Sequence, residues 1–173
     1  MIMRKVKVVE ARNHWPEKFR QEAKTLHDLL GNIVTDIHHI GSTSVPNLAA
    51  KPIIDILLEV SDLQALDDQS EKLINIGYVA KGEYGIEGRR YFKKGGDDRT
   101  HHLHAFITGD PHAHRHLAFR NYLKAHPEVR EQYAQLKKQI AKDVNGDVAD
   151  YCAGKNDFVE QHVAKAVDWA GAS

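Results

Sequence analysis

Pro52-Ile-Ile-Asp-Ile-Leu-Leu-Glu-Val60 is the stretch on which the fold turns. Strand side chains alternate between faces. Ile54, Ile56, Leu58 and Val60 therefore share one face, and Ile53, Asp55, Leu57 and Glu59 the other. Both faces are largely apolar, which predicts a central strand covered on both sides. Asp55 is the exception. A buried, ionised carboxylate is costly unless it is paired or binds a metal. Two readings stay open for it: a metal ligand, or an ion pair with Lys51 or with an arginine from a neighbouring strand. Glu59 points the same way, but four residues at ~3.3 Å each place it ~13 Å from Asp55. Glu59 is expected near the surface, at the strand end.

Upstream, Ile33–Ile40 is rich in β-branched residues and reads as a second strand. Phe19, Ala23, Leu26 and Leu30 make one apolar stripe, which predicts a helix from Pro16 to Leu30 with Gly31 as its stop. Downstream, Ser61 and Gln64 form a capping-box pattern for a helix reaching about Asn75. Short strands are expected over 77–80, 89–93 and 101–108. Asp110-Pro111 starts a helix by cap and first-turn chemistry. His126-Pro127 breaks it and starts another, with Val129, Tyr133, Leu136 and Ile140 as its stripe. Asn145-Gly146 marks a turn before a last helix from Val148 to Trp169. The order predicts an α+β fold: a mixed β-sheet flanked by helices, packed on one side of the sheet, with a C-terminal helical segment. A single domain is expected, with an α/β core over about 9–109 and helices over 110–170.

Composition narrows the function classes. Among 173 residues the hydrophobic fraction of 42% and the charged fraction of 28% are ordinary for a globular chain. Lys+Arg and Asp+Glu stand at 24 each, which argues against a broad grip on nucleic acid but not against a local phosphate site. Cys152 is the single cysteine, so no internal disulfide and no cysteine zinc site can form. It has no partner pattern and is taken as structural. The N-terminal residues lack a signal-peptide run, and no apolar stretch nears the ~18 residues of a membrane span. A cytoplasmic protein without membrane contact is expected. Nothing in the sequence sets its oligomeric state.

Three segments could carry chemistry. The first is Gly41-Ser-Thr-Ser44, where a glycine allows close backbone approach and Ser42 and Thr43 add hydroxyl donors. It is either a phosphate-binding turn or a simple connection, and its spacing is not that of a Walker loop. Asp55 lies fourteen residues on, close enough for the two to converge through adjacent strands. The third is Arg99-Thr-His-His-Leu-His-Ala-Phe-Ile107, in which His102 and His104 share one strand face. Such a pair can ligate a metal, position a phosphate or move protons. With Asp55 it would make a two-histidine, one-carboxylate set. His112 and His116 share a helix face, read as solvated rather than as a surface metal site. Arg89, Arg90, Lys93 and Lys94 form a basic strand region, of which one or two residues could neutralise a phosphate.

His39-Ile-Gly-Ser-Thr-Ser-Val-Pro, Leu48-Ala-Ala-Lys-Pro-Ile-Ile-Asp-Ile, Thr100-His-His-Leu-His and His116-Leu-Ala-Phe-Arg-Asn-Tyr-Leu together resemble the GrpB family, from about Val9 to Ala166. That family is grouped with the nucleotidyltransferases related to DNA polymerase β, and a related domain is fused to some dephospho-CoA kinases. The resemblance implies a nucleotidyltransferase-like mixed sheet with flanking helices. In active members a Gly-Ser turn contacts nucleotide phosphates, two acids one position apart on the next strand hold magnesium, and a third acid lies on a later strand. Gly41-Ser42 and Asp55 match. Leu57 stands where the second acid would be, and the later strand offers His102 and His104.

The expected ligand is a small-molecule nucleotide or phosphorylated metabolite. Gly41, Ser42, Thr43, Lys51 and Arg90 would hold its phosphates. Asp55, His102 and His104 would bind a divalent metal ion and do any catalysis. Magnesium or manganese is the first expectation, with zinc or nickel suited to the imidazoles. Metal-dependent nucleotidyl or phosphoryl transfer, a non-catalytic binding module, and a metal-dependent hydrolase using Asp55, His102 and His104 all stay open.

Overall fold

The computed structural model describes residues 7–143 and 148–172. Its elements are α1 (Trp15–Leu30), β1 (Val34–Ile40), β2 (Ile54–Val60), α2 (Leu63–Asp68), α3 (Ser70–Asn75), β3 (Tyr78–Ala80), β4 (Arg90–Lys94), β5 (His101–Ile107), α4 (Pro111–Ala125), α5 (Pro127–Asp143) and α6 (Val148–Ala172). The fold is α+β. Its five strands lie in the order β1-β2-β5-β4-β3. β2 and β5 run parallel, and every other neighbouring pair is antiparallel. β2 is thus interior, as its two apolar faces require. The Asn145-Gly146 turn lies outside the described residues.

The two faces of β2 face different layers. Ile54, Ile56 and Leu58 join Leu103 and Ala105 of β5 under Trp15, Leu26 and Leu30 of α1 and Leu66 and Leu73 of α2 and α3. A fully buried leucine or isoleucine contributes ~1.5–3 kcal/mol, so this cluster anchors the sheet. On the opposite face Ile40, Leu57 and Phe106 meet Ala113 of α4. α5 and α6 close over that side through Tyr133 and Ala166, which cluster with Tyr122 and Leu123 of α4. Helices therefore cover both sides of the sheet, not one. A central strand apolar on both faces leaves no other solution.

Two local expectations also change. The helix predicted from Ser61 to Asn75 is two short helices, and its cap is Asp62, whose carboxylate accepts from the N–H groups of Gln64 and Ala65. Aspartate is as strong a cap as serine, and here it sits one residue closer to the first turn. Glu59 is not at the surface: its side chain is 15% exposed and accepts from His38 at 3.0 Å.

On the α1 side the chain buries Glu22. Its carboxylate accepts from the Tyr78 hydroxyl at 2.6 Å and from Lys94 Nζ at 2.9 Å. Burial alone would raise its pKa, but the hydrogen bonds from Tyr78 and Lys94 outweigh it and hold the group below the usual glutamate value. This network joins α1 to β3 and β4.

Candidate functional site

The site begins where β1 ends. Ile40 pairs with Asp55 across the antiparallel β1–β2 ladder, so the next residue, Gly41, passes directly beside the Asp55 side chain. Gly41 has φ 72° and ψ −178°, a conformation essentially confined to glycine. A Cβ there would lie 2.5 Å from Asp55 Oδ2 and 2.9 Å from Asp55 Cβ. Ser42–Ser44 then form one 3₁₀ turn. Its middle residue is pinned: Thr43 Oγ1 donates to the Ile53 carbonyl at 3.2 Å and accepts from His39 Nε2 at 2.9 Å. Burial pushes the His39 pKa down to about 4, which keeps that ring neutral. The turn is thereby tied to the entrance of β2.

The parallel β2–β5 register sets Asp55 opposite His102 and Leu57 opposite His104. His102 Nδ1 lies 3.2 Å and His104 Nε2 3.5 Å from the same atom, Asp55 Oδ1. Burial would raise the Asp55 pKa, but the hydrogen bonds from the two histidines prevail and hold it well below the ordinary carboxylate value. Asp55 thus pairs with two histidines. On their outer sides the rings meet guanidinium groups: Arg99 Nη1 is 3.2 Å from His102 Nε2, and Arg89 Nη1 is 3.3 Å from His104 Nδ1.

A cavity of 360 Å³ opens between this sheet face and α4–α6. Its size falls within the ~300–1,000 Å³ of small-molecule sites. Gly41, Ser42, Thr43, Lys51, Asp55, His102 and His104 all line it. Four cationic side chains, Lys51, Arg120, Lys137 and Lys155, face one carboxylate, Asp55, among the described lining residues. Lys137 is 1% exposed. Its ammonium reaches Ser42 Oγ at 2.7 Å and lies 4.5 Å over the Tyr133 ring. Burial, then the charges of Lys155 and Lys51, hold its pKa well below the usual lysine value. Arg120 donates to the His39 carbonyl at 3.1 Å. Phe119, Leu123 and Val159 supply an apolar wall.

Arg90 is not part of this assembly. It pairs with Ala105 in the β4–β5 ladder, which puts its side chain on the α1 side, where its guanidinium binds both Asp67 oxygens at 2.8 and 3.1 Å. Arg89, one residue earlier, reaches the site instead. The His112–His116 face is half-buried rather than fully solvated. Both rings pack on Phe106, at 5.6 and 6.3 Å between centroids. His116 lines the cavity, and burial pushes its pKa down to about 3. Cys152 is exposed at the cavity rim rather than packed in the core.

Arg89 belongs to the basic strand region and His116 to a motif of the family resemblance, whereas no motif contains Lys137. Lys137 did leave a trace: it falls four residues after Tyr133 and three before Ile140, inside the apolar stripe of α5. Elsewhere, Asp36, His38 and Glu59 bring three potential ligand atoms within 4.8 Å of one another, near the other end of β2. Among the described residues no helix is long and apolar enough to cross a membrane.

Sheet, helical roof and cavity define an α+β domain that encloses a small-molecule-sized site. The GrpB protein family model matches residues 5–165, and the chain belongs to that family. The crystal structure of conserved protein GrpB from Enterococcus faecalis superposes with a TM-score of 0.91 at 40% identity, covering 95% of this chain and 99% of that one. UPF0157 protein YqkA of Bacillus subtilis is 45% identical over 166 residues, which are 96% of this chain but 48% of the relative. A dephospho-CoA kinase of Mycobacterium tuberculosis is 26% identical over 191 residues, again 96% of this chain and 47% of the relative. The chain thus spans about half the length of each of these last two proteins.

Proposed function

We propose that the cavity binds the phosphate groups of a nucleotide or phosphorylated metabolite. The observation that carries this reading is the charge imbalance around the Gly41–Ser42 turn, four cations to one carboxylate, with the Lys137 amine buried against Ser42. A buried ammonium is costly without a counter-charge. A phosphate seated on the turn would supply that charge and raise the lowered Lys137 pKa. Ser42, Thr43, Lys51 and Lys155 surround the same space. The apolar wall suits the organic part of such a ligand, and a dephospho-CoA kinase among the relatives favours the same ligand class. Magnesium or manganese would have Asp55 and the ligand's own phosphates as oxygen donors.

Leu57 favours binding over ordinary two-metal transfer. It is fully buried between Ile40 and Phe106 and offers no ligand atom. Calorimetry with ATP, GTP, CTP, UTP and dephospho-CoA, with and without magnesium or manganese, tests the reading. Saturable binding of at least one, weakened by Ser42→Ala, supports it. No heat with any of them sinks it. Mass-spectrometric product analysis of the same mixtures separates a binding module from a transferase or hydrolase.

A further inference from the structure

We infer that His102 and His104 serve this site as neutral N–H donors that aim the Asp55 carboxylate, their tautomers set by Arg99 and Arg89, and not as metal ligands. The inference rests on the candidate site described above, but not on any phosphate being bound there. A guanidinium has five N–H donors and no acceptor. The ring nitrogen it touches must therefore accept. Arg99 Nη1 meets His102 Nε2, and Arg89 Nη1 meets His104 Nδ1. The proton of each neutral ring is left on the opposite nitrogen, Nδ1 of His102 and Nε2 of His104. Those are the two atoms that face Asp55 Oδ1.

The Arg89 guanidinium cannot easily turn away. Arg89 is 7% exposed, donates Nε to the Glu83 carbonyl at 3.2 Å and Nη2 to the Tyr84 carbonyl at 2.9 Å, and lies 4.9 Å over the Tyr91 ring. Arg99 donates Nε to the Gly96 carbonyl at 3.2 Å. For either histidine to ligate a cation through its Asp55-facing nitrogen, the ring proton would have to move to the outer nitrogen. There it would point at a guanidinium N–H. Metal-bound histidines ordinarily donate outward, to a carboxylate or carbonyl. Here the outer partner has the opposite polarity. The Asp55, His102 and His104 set therefore does not fit zinc or nickel. An oxygen-only site on Asp55 is what the two rings preserve.

Nitrogen-detected NMR of the histidine rings in the full chain, with His102→Asn and His104→Gln assigning the signals, tests this. At neutral pH His102 should show a protonated Nδ1 and an unprotonated Nε2, and His104 the reverse. Added zinc chloride should leave both patterns unchanged. Arg99→Met should release the tautomer of His102 only, and Arg89→Met that of His104 only. If a buried-arginine variant fails to fold, the native spectrum still decides. A doubly protonated ring, a reversed tautomer, or zinc shifts at both rings would overturn the inference. The spectra need no nucleotide. If the tautomers are as stated and nothing binds, the phosphate reading falls and this one stands.

Discussion

Replacing Gly41 with alanine probes the closest approach in the site. Two penalties combine. An L residue at φ 72°, ψ −178° stores strain of ~1–3 kcal/mol. The new Cβ would also lie 2.5 Å from Asp55 Oδ2 and 2.9 Å from Asp55 Cβ, so the aspartate must shift. Its carboxylate is held at Oδ1 by His102 at 3.2 Å, and losing one hydrogen bond to a charged group costs ~1.5–3 kcal/mol. The expected loss is ~3–5 kcal/mol. Gly31 provides the control. It too has a positive φ, 65°, but a Cβ there meets nothing within 4 Å. Gly31→Ala should show strain alone, ~1–3 kcal/mol. Urea unfolding of both variants isolates the collision as a gap of ~2 kcal/mol, read from the midpoints at constant slope. Equal destabilisation of the two, within ~0.5 kcal/mol, would refute the packing of Asp55 on the turn.

Glu22→Ala should destabilise the fold by ~3 kcal/mol, because it strands the Tyr78 hydroxyl and Lys94. The Glu22 pKa is lowered on folding, so the native protein gains stability from it above the ordinary glutamate pKa. That gain fades as pH falls through the lowered value, and the gap between native and variant midpoints should shrink in acid. Lys137→Met should raise thermal stability, since it removes a buried amine of similar length. Its folded pKa is well below 10.5, so the unfolded chain binds the extra proton. The advantage of the methionine should be fully present below the lowered pKa and diminish as pH rises from there toward 10.5. Arg90→Met should lower stability through loss of the Asp67 pair and leave ligand affinity unchanged. A clear affinity loss would return Arg90 to the site.

Much of the fold was legible because period-two patterning is local. Alternation along Pro52–Val60 placed Asp55 opposite the Ile54–Ile56–Leu58 face, and the β2 ladder has it there. What patterning cannot encode is which strand lies next to which. The Asp55–His102 pairing depends on β5 crossing back parallel to β2, 47 residues later. Arg90 shows how narrow the margin is. Shifting the β4–β5 pairing register by one residue exchanges the two faces, and so would exchange Arg90 for Arg89. His112 and His116 were rightly put on one helix face, but the spacing is silent on whether that face meets water or Phe106. Lys137 lies 95 residues from Ser42, so its role follows only from the way α5 folds over the sheet.

The central claim is that phosphate supplies the counter-charge Lys137 lacks. The direct measurement compares native protein and Lys137→Met by calorimetry, using one nucleoside triphosphate with magnesium. At least a tenfold weaker affinity in the variant is the predicted result. Equal affinities in a folded variant, or binding by neither protein, would contradict it.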